Sequence, residues 1–363
     1  MNSNPKFISN FQLFFFLVQS QLGIGLLSLP NLVETNAQSD GLISIMLAGL
    51  GIQLILFIYW SLSKRFPGYI YTQITKEVFG KFFGRLTNFV IYVYFILTAG
   101  LAVLLFVNLI NAGLLPSTPR WVIAILIISS SVYLVVSDLR IIARFFVLAS
   151  VFILFILFLS VLTFTLPTEF QNILPIGDSG LKNILHGSKE SLISMLGFEG
   201  LLIIFPYIIQ KGKGILKTIS FANIFITLLY AYFLLISLIS FSTTQIEQIR
   251  EPVLYLFRGL SFQMLDRVDL IFLSIWAVPM TTSVIAYLFL AAKSINNEST
   301  YKRSVVISGL LILCLSLIPL EYETIETFSN YVSYLSYVIV FAIPTILLFF
   351  AILLNKRVGS AED

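Results

Sequence analysis

The chain has 363 residues, 58% of them hydrophobic and 11% charged, with a mean hydropathy of +0.96. Soluble domains carry about 25% charged residues, so the composition excludes a water-soluble globular protein and describes an integral membrane protein. The net charge of +4 is spread over short loops instead of forming a patch, which argues against nucleic acid as a partner.

Ten hydrophobic segments follow one another, near residues 7–30, 41–63, 86–114, 121–137, 145–166, 190–210, 217–243, 269–292, 304–320 and 327–354. A membrane helix needs roughly 20 apolar residues. The runs are continuous, not alternating, so the expected fold is all-α and not a strand barrel. The first segment is too long for a signal-peptide core and is read as a retained span. Residues 67–85, with Pro67, Gly80 and Gly84 among charges and aromatics, predict a short interfacial helix. Asp138, Arg140 and Arg144 in the turn before the fifth segment predict a local ion network. Residues 167–189 predict an outer loop, and residues 245–268 an amphipathic outer helix that packs on the surface or lids a vestibule. Pro206, Pro279 and Pro344 are expected kinks. Tyr331, Tyr334 and Tyr337 share one face and suit an interfacial belt.

Charge orients the segments. With the N-terminus inside, 16 of the 22 Lys and Arg residues fall on one side, and only Arg120, Lys182, Lys189, Arg250, Arg258 and Arg267 on the other. This bias predicts ten spans with both termini cytoplasmic. The chain reads as a single polytopic membrane domain, residues 1–363. It divides as five plus five spans, a first repeat of about 7–166 and a second of about 190–354, entering from opposite faces as an inverted repeat.

In that arrangement the first helix of each repeat is unwound near the midplane. Gln21-Leu22-Gly23-Ile24-Gly25 interrupts segment one, and Leu196-Gly197-Phe198-Glu199-Gly200 interrupts segment six. Glycine weakens a helix by about 1 kcal/mol relative to Ala, and a carboxylate at mid-bilayer costs roughly 2.5–3.5 kcal/mol on insertion scales. Freed N–H groups at Ile24–Leu26 and Glu199–Leu201 suit a carboxylate, and freed carbonyls suit an ammonium or cation. A small amino acid carries both charges. Close helix packing is the other reading of Gly23 and Gly25. Glu199 has three open roles: proton acceptor, partner of a ligand ammonium or ion, or structural acid bonded to the break. Segment three offers Tyr94 and Thr98 beside it, and segment eight offers Trp276, Thr281, Thr282 and Ser283, although such hydroxyls also bond back to their own helix. The expected ligand-binding set is therefore Gly23, Ile24, Gly25, Tyr94, Thr98, Gly197, Glu199, Gly200, Thr281 and Thr282. The sequence offers no paired carboxylates within a segment, no Ser/His/Asp set and no phosphate loop, so no enzyme activity is expected. Lone Cys314 and lone His186, the latter read as a solvated loop residue, support neither a disulfide within the chain nor a metal cluster. No cofactor is expected.

Gln21-Leu22-Gly23-Ile24-Gly25-Leu26-Leu27-Ser28-Leu29-Pro30 resembles the first-helix motif of the B subunit of bacterial spore germinant receptors. Phe198-Glu199-Gly200 with Phe205-Pro206, and Asp266-Arg267 ahead of Phe272 and Trp276, are similar to the same family in segments six and eight. The resemblance covers essentially the whole chain. It implies a member of the amino acid–polyamine–organocation superfamily acting as a germinant sensor: a nutrient-binding subunit of the spore inner membrane that works with an A subunit and a lipoprotein C subunit. It also implies that Gly23, Thr98, Glu199 and Thr281 or Thr282 line the ligand pocket. Besides the nutrient and membrane lipid, those subunits are the implied partners. The alternatives are an amino acid transporter, coupled to protons through Glu199 or to sodium near Thr281, and a purely structural subunit.

Overall fold

The computed structural model describes residues 7–23, 25–175, 177–209, 212–260, 267–295, 300–318 and 321–357. Among them the regular structure is helical, apart from one isolated β-bridge between Ile8 and Ile208.

Segment one is two half-helices. The first, α1 (Asn10–Gln21), starts at a capping box in which Ser9 Oγ accepts the Gln12 N–H (3.2 Å) and Gln12 Oε1 accepts the Ser9 N–H (3.0 Å). The chain leaves helix at Leu22 and resumes it as α2 (Gly25–Ala37), whose end lies seven residues past the predicted end of segment one. Ile24, one of the expected site residues, lies outside the described residues. A 3-10 turn leads into α3 (Gly41–Arg65). A short helix within the expected 67–85 is present as the first part of α4 (Tyr71–Gly113); Gly80, at φ 83°, separates it from the third segment. There follow α5 (Arg120–Val135) and α6 (Leu139–Val161).

The second broken segment begins earlier than predicted. α7 (Gly180–Ser194) starts ten residues before position 190, so His186 stands on a helix instead of in a loop. The buried Asp40 carboxylate anchors the chain just ahead of α7 by accepting the N–H groups of Gly177 (2.6 Å) and Ser179 (3.0 Å). After Ser194 the path bends by 55° into a 3-10 turn at Phe198–Gly200, α8 (Leu201–Ile204) and a second 3-10 turn at Phe205–Tyr207 that contains Pro206.

Then come α9 (Lys213–Ser240), α10 (Thr243–Gln248) and α11 (Pro252–Arg258). The single amphipathic helix expected over 245–268 is thus replaced by two short ones. Pro252 supplies no N–H and begins a new helix instead of continuing the old one; residues 261–266, including Asp266, lie outside the described residues. Asn31 Nδ2 ties α10 to α2 through the carbonyls of Ile246 (2.8 Å) and Glu247 (3.0 Å).

The chain ends with α12 (Val268–Ile295), which runs on through Pro279; α13 (Tyr301–Ser316); and α14 (Tyr322–Ser336), a π-helical turn at Tyr337–Ala342 and α15 (Ile343–Leu353), with Pro344 in its first turn. Of the three tyrosines expected on one face, Tyr331 and Tyr334 are exposed, while Tyr337 is half-buried and its hydroxyl donates to the Lys189 carbonyl (3.4 Å).

Among the described residues, six helical stretches are long and apolar enough to cross a bilayer, and the bent pair at Gly180–Tyr207 makes a seventh. The core forms where α4 packs along α12, α1 against α9 and α6, and α7 against α2 and α3. Small residues permit the close approaches. On Gly49, for example, a Cβ would collide with Thr227 of α9, and Asn223 on α9 donates to the Gly49 carbonyl (2.9 Å). The ion network expected at the start of α6 is absent: no ion pair joins Asp138 to Arg140 or Arg144 among the described residues. Arg140 Nε instead donates to the Phe7 carbonyl (2.8 Å).

Candidate ligand site at the two helix breaks

Each unwound stretch leaves main-chain groups without helical partners, and the bilayer offers none. Here the two breaks satisfy one another. Gly197 sits at φ 127° and ψ −20°, outside the range of ordinary L-residues, where a Cβ would overlap the Ser20 carbonyl of α1. The Ser20 hydroxyl lies 3.0 Å from the Leu17 carbonyl and 3.1 Å from the Gly197 carbonyl, so its one hydrogen is shared between its own helix and a residue 177 positions away in the other break. A Cβ on Gly25 would lie 2.9 Å from the Ser194 carbonyl, so the start of α2 also touches the end of α7.

A second tie comes from α9. The buried Tyr230 hydroxyl lies 2.8 Å from the Gln21 carbonyl and 2.9 Å from the Ser194 carbonyl, the last residues of α1 and α7. A phenol has one hydrogen, so these two carbonyls share a single donor. Each is the end of a different broken helix.

The Glu199 side chain folds back over its own break. It is 2% exposed, and Oε2 accepts the Gly197 N–H at 2.7 Å. Oε1 accepts the hydroxyls of Tyr94 (2.9 Å) on α4 and Tyr287 (3.1 Å) on α12. The carboxyl group thus satisfies the N–H of Gly197, two residues ahead of the Glu199–Leu201 N–H groups expected to meet a ligand carboxylate. Its neighbours are neutral donors, and among the described residues no ion pair reaches it. The rings of Phe198, Tyr59 and Phe341 pack beside it with centroids 6.1 and 6.2 Å apart. Tyr59 donates to the Val340 carbonyl (2.7 Å), within the π-helical turn of segment ten.

A third polar group joins α1, α6 and α12. Gln19, fully buried, donates to Ser150 Oγ (3.0 Å) and accepts from Thr282 Oγ1 (2.6 Å). Ser283 Oγ stands 3.4 Å from the Ser20 carbonyl and would be 3.7 Å from a Cβ placed on Gly23.

The expected site residues therefore fall into groups. Tyr94, Gly197, Glu199, Gly25 and Thr282 are brought to the two breaks. Gly23 is there too, with room for a side chain, while Gly200 is closed off by Leu290 and Phe16, so its smallness serves packing. The hydroxyls of Thr98 and Thr281 turn back to their own helices, to the carbonyls of Tyr94 (2.9 Å) and Ala277 (2.7 Å). Between them, the adjacent threonines divide: Thr282 faces Gln19 and Thr281 does not. Sequence reasoning missed Tyr230, Tyr287, Gln19 and Ser20. The available signal was a polar side chain within an apolar run, which costs free energy unless it finds a partner.

Beside the break of segment one lies a small apolar cavity, about 10 Å³, bordered by Leu22, Leu26, Ile153, Leu229, Phe233 and Trp276. The buried Trp276 Nε1 has no acceptor there, and Gln21 Oε1 has no donor.

Two discontinuous helices of an apolar, all-helical chain thus meet at one buried polar point. The chain belongs to the spore germination protein family, whose model matches residues 7–326. It is 26% identical to spore germination protein GerQB of Bacillus cereus over 84% of each chain, and 26% identical to spore germination protein A2 of Bacillus subtilis over 98% of each. In fold it is similar to MhsT, solved in complex with L-phenylalanine, with a TM-score of 0.63, 14% identity, and 96% of this chain and 89% of that one covered.

Proposed function

We propose that the protein is the nutrient-sensing subunit of a spore germination receptor, and that it binds a small amino acid-like ligand between the broken segments one and six. The observation that carries this reading is the pairing of the two breaks. Glu199, Tyr94, Tyr287 and the Gly197 N–H form one pole, and the carbonyls of Gln21 and Ser194, sharing the Tyr230 hydroxyl, form the other. A zwitterion replaces these internal partners group for group. Its ammonium takes the carbonyls or the Glu199 carboxylate, and its carboxylate takes the tyrosine hydroxyls and break N–H groups. Gly23, Gly25, Gly197, Glu199, Tyr94 and Thr282 border that space, with Ile24, Gly200, Thr98 and Thr281 adjoining it in the chain. The bound phenylalanine of MhsT, a protein of the same fold, supports an amino acid as the ligand class.

In this reading the hydrophobic segments make ten spans in an inverted five-plus-five repeat, one domain with both termini in the cytoplasm, in the inner membrane of the spore. Family membership supports partner A and C subunits that read the change of state. Ligand binding shifts a two-state equilibrium, and moving it from mostly off to mostly on takes about 5.5 kcal/mol of differential affinity.

Transport of an amino acid driven by protons or sodium uses the same site, and the transporter fold favours it as the second reading. Purified protein screened against single nutrients by thermal shift, with uptake measured in proteoliposomes, separates the two. A receptor is stabilised by one nutrient without concentrating it, whereas a carrier accumulates it and loses accumulation on Glu199→Gln. If no nutrient alters melting, the site assignment falls.

A further inference from the structure

The start of α6 carries two arginines that meet no acidic partner among the described residues. Arg140 and Arg144, one helical turn apart, stand with Val147 on one face of α6. Together with Ser9, Phe11 and Gln12 at the start of α1 they border a groove of about 350 Å³. Arg140 spends one N–H on the Phe7 carbonyl (2.8 Å), and among the described residues neither guanidinium meets a carboxylate. Two fixed positive charges one turn apart make a bidentate seat for a phosphate.

The surroundings decide what carries that phosphate. The neighbouring face of α6 presents Ile141, Phe145 and Leu148, all exposed, and across the groove Phe11 is 64% exposed. Large apolar side chains at the open edge of a membrane protein face acyl chains, so the occupant must be charged at one end and apolar at the other. We infer that this groove is a site for the headgroup of an anionic phospholipid, held by Arg140 and Arg144 at the foot of the first broken helix.

The seat is wired to the breaks. Phe7, whose carbonyl Arg140 holds, precedes Ile8; the Ile8 N–H donates to the Tyr207 carbonyl (2.8 Å), and the Ile209 N–H donates to the Ile8 carbonyl (3.0 Å). Ile8 and Ile208 are buried. The foot of α1 is therefore joined to the far end of broken segment six, beyond α8, and a lipid that fixes Arg140 steadies that joint.

Native mass spectrometry of the purified full-length chain, titrated with phosphatidylglycerol or phosphatidylcholine, tests this. The parent is expected to form phosphatidylglycerol adducts at roughly ten- to thirty-fold lower lipid concentration than phosphatidylcholine adducts. Arg140→Gln/Arg144→Gln should abolish that preference, and Lys302→Gln/Arg303→Gln, which removes equal charge elsewhere, should leave it intact. Arg144→Gln alone breaks no hydrogen bond among the described residues and should weaken the preference without unfolding the protein. Inorganic phosphate should give no stabilisation, which separates a lipid from a free anion. Phosphatidylglycerol should also slow hydrogen exchange at the Ile8 and Ile209 amides in the parent only. The inference is overturned if the two lipids bind alike, if Arg144→Gln or the double variant keeps the parent's preference, or if the control loses it equally. It is likewise overturned if the arginine substitutions impair only association with partner subunits, which would make the groove a protein-docking face.

Discussion

Replacing Gly197 with Ala isolates the contact between the two breaks. The position holds φ 127°, where a Cβ carries a strain of about 1–3 kcal/mol. That Cβ would also run into the Ser20 carbonyl and come within 2.8 Å of the Gln21 nitrogen, both main-chain atoms of α1. Relieving such an overlap by backbone movement costs roughly 1–3 kcal/mol more. The sum, about 2–6 kcal/mol, is a large part of the net stability of an ordinary domain. Gly68→Ala supplies the reference, because Gly68 has φ 82° with nothing within 4 Å of a new Cβ and so bears the conformational part alone. Thermal unfolding in detergent, followed through the three tryptophans, should show Gly197→Ala melting well below Gly68→Ala. The difference is the clash at the break. Equal losses in the two variants would mean that segments one and six are not in main-chain contact, and the reasoning about the site would fail with it.

Three further perturbations follow. Tyr230→Phe removes the one donor shared by the carbonyls of Gln21 and Ser194 without changing the packing, and should cost about 1–3 kcal/mol in the unfolding midpoint measured by denaturant or heat. Glu199→Gln keeps a carbonyl oxygen for the Gly197 N–H while its amide faces two tyrosine hydroxyls able to accept. Its melting temperature should stay near the parent's while the nutrient-induced shift disappears. Asp40→Ala strips the acceptor from two N–H groups at the outer anchor of α7, with a cost of about 1–3 kcal/mol; hydrogen exchange at Gly177 and Ser179 should quicken before that of the core helices.

The two breaks were legible because glycines and an acid inside apolar runs conflict with helix and with lipid, and only a special backbone resolves that conflict. Tyr94 was found because it lies at matching depth on a neighbouring segment. Tyr230 was not: its hydroxyl matters only once α9 crosses both breaks, 209 and 36 positions away, and a tyrosine in a membrane segment otherwise reads as packing. The Thr281–Thr282 register stayed open for a similar reason, since only the rotation of α12 against α1 turns one hydroxyl to Gln19. The start of α7 was misplaced because Lys182, His186 and Lys189 look like loop residues, whereas Asp40 holds the chain where the helix begins ten residues sooner. The arginines of α6 were assigned the nearest acid in sequence, and their side chains point elsewhere.

The most direct measurement is equilibrium binding of radiolabelled amino acids to the purified protein, with Glu199→Gln and Tyr230→Phe alongside. At least one amino acid should bind saturably at one site per chain, at least about tenfold more weakly in both variants, a loss of roughly 1.4 kcal/mol or more. Saturable binding that neither substitution weakens, or no binding by any amino acid to a folded protein, would contradict a zwitterion site between the two breaks.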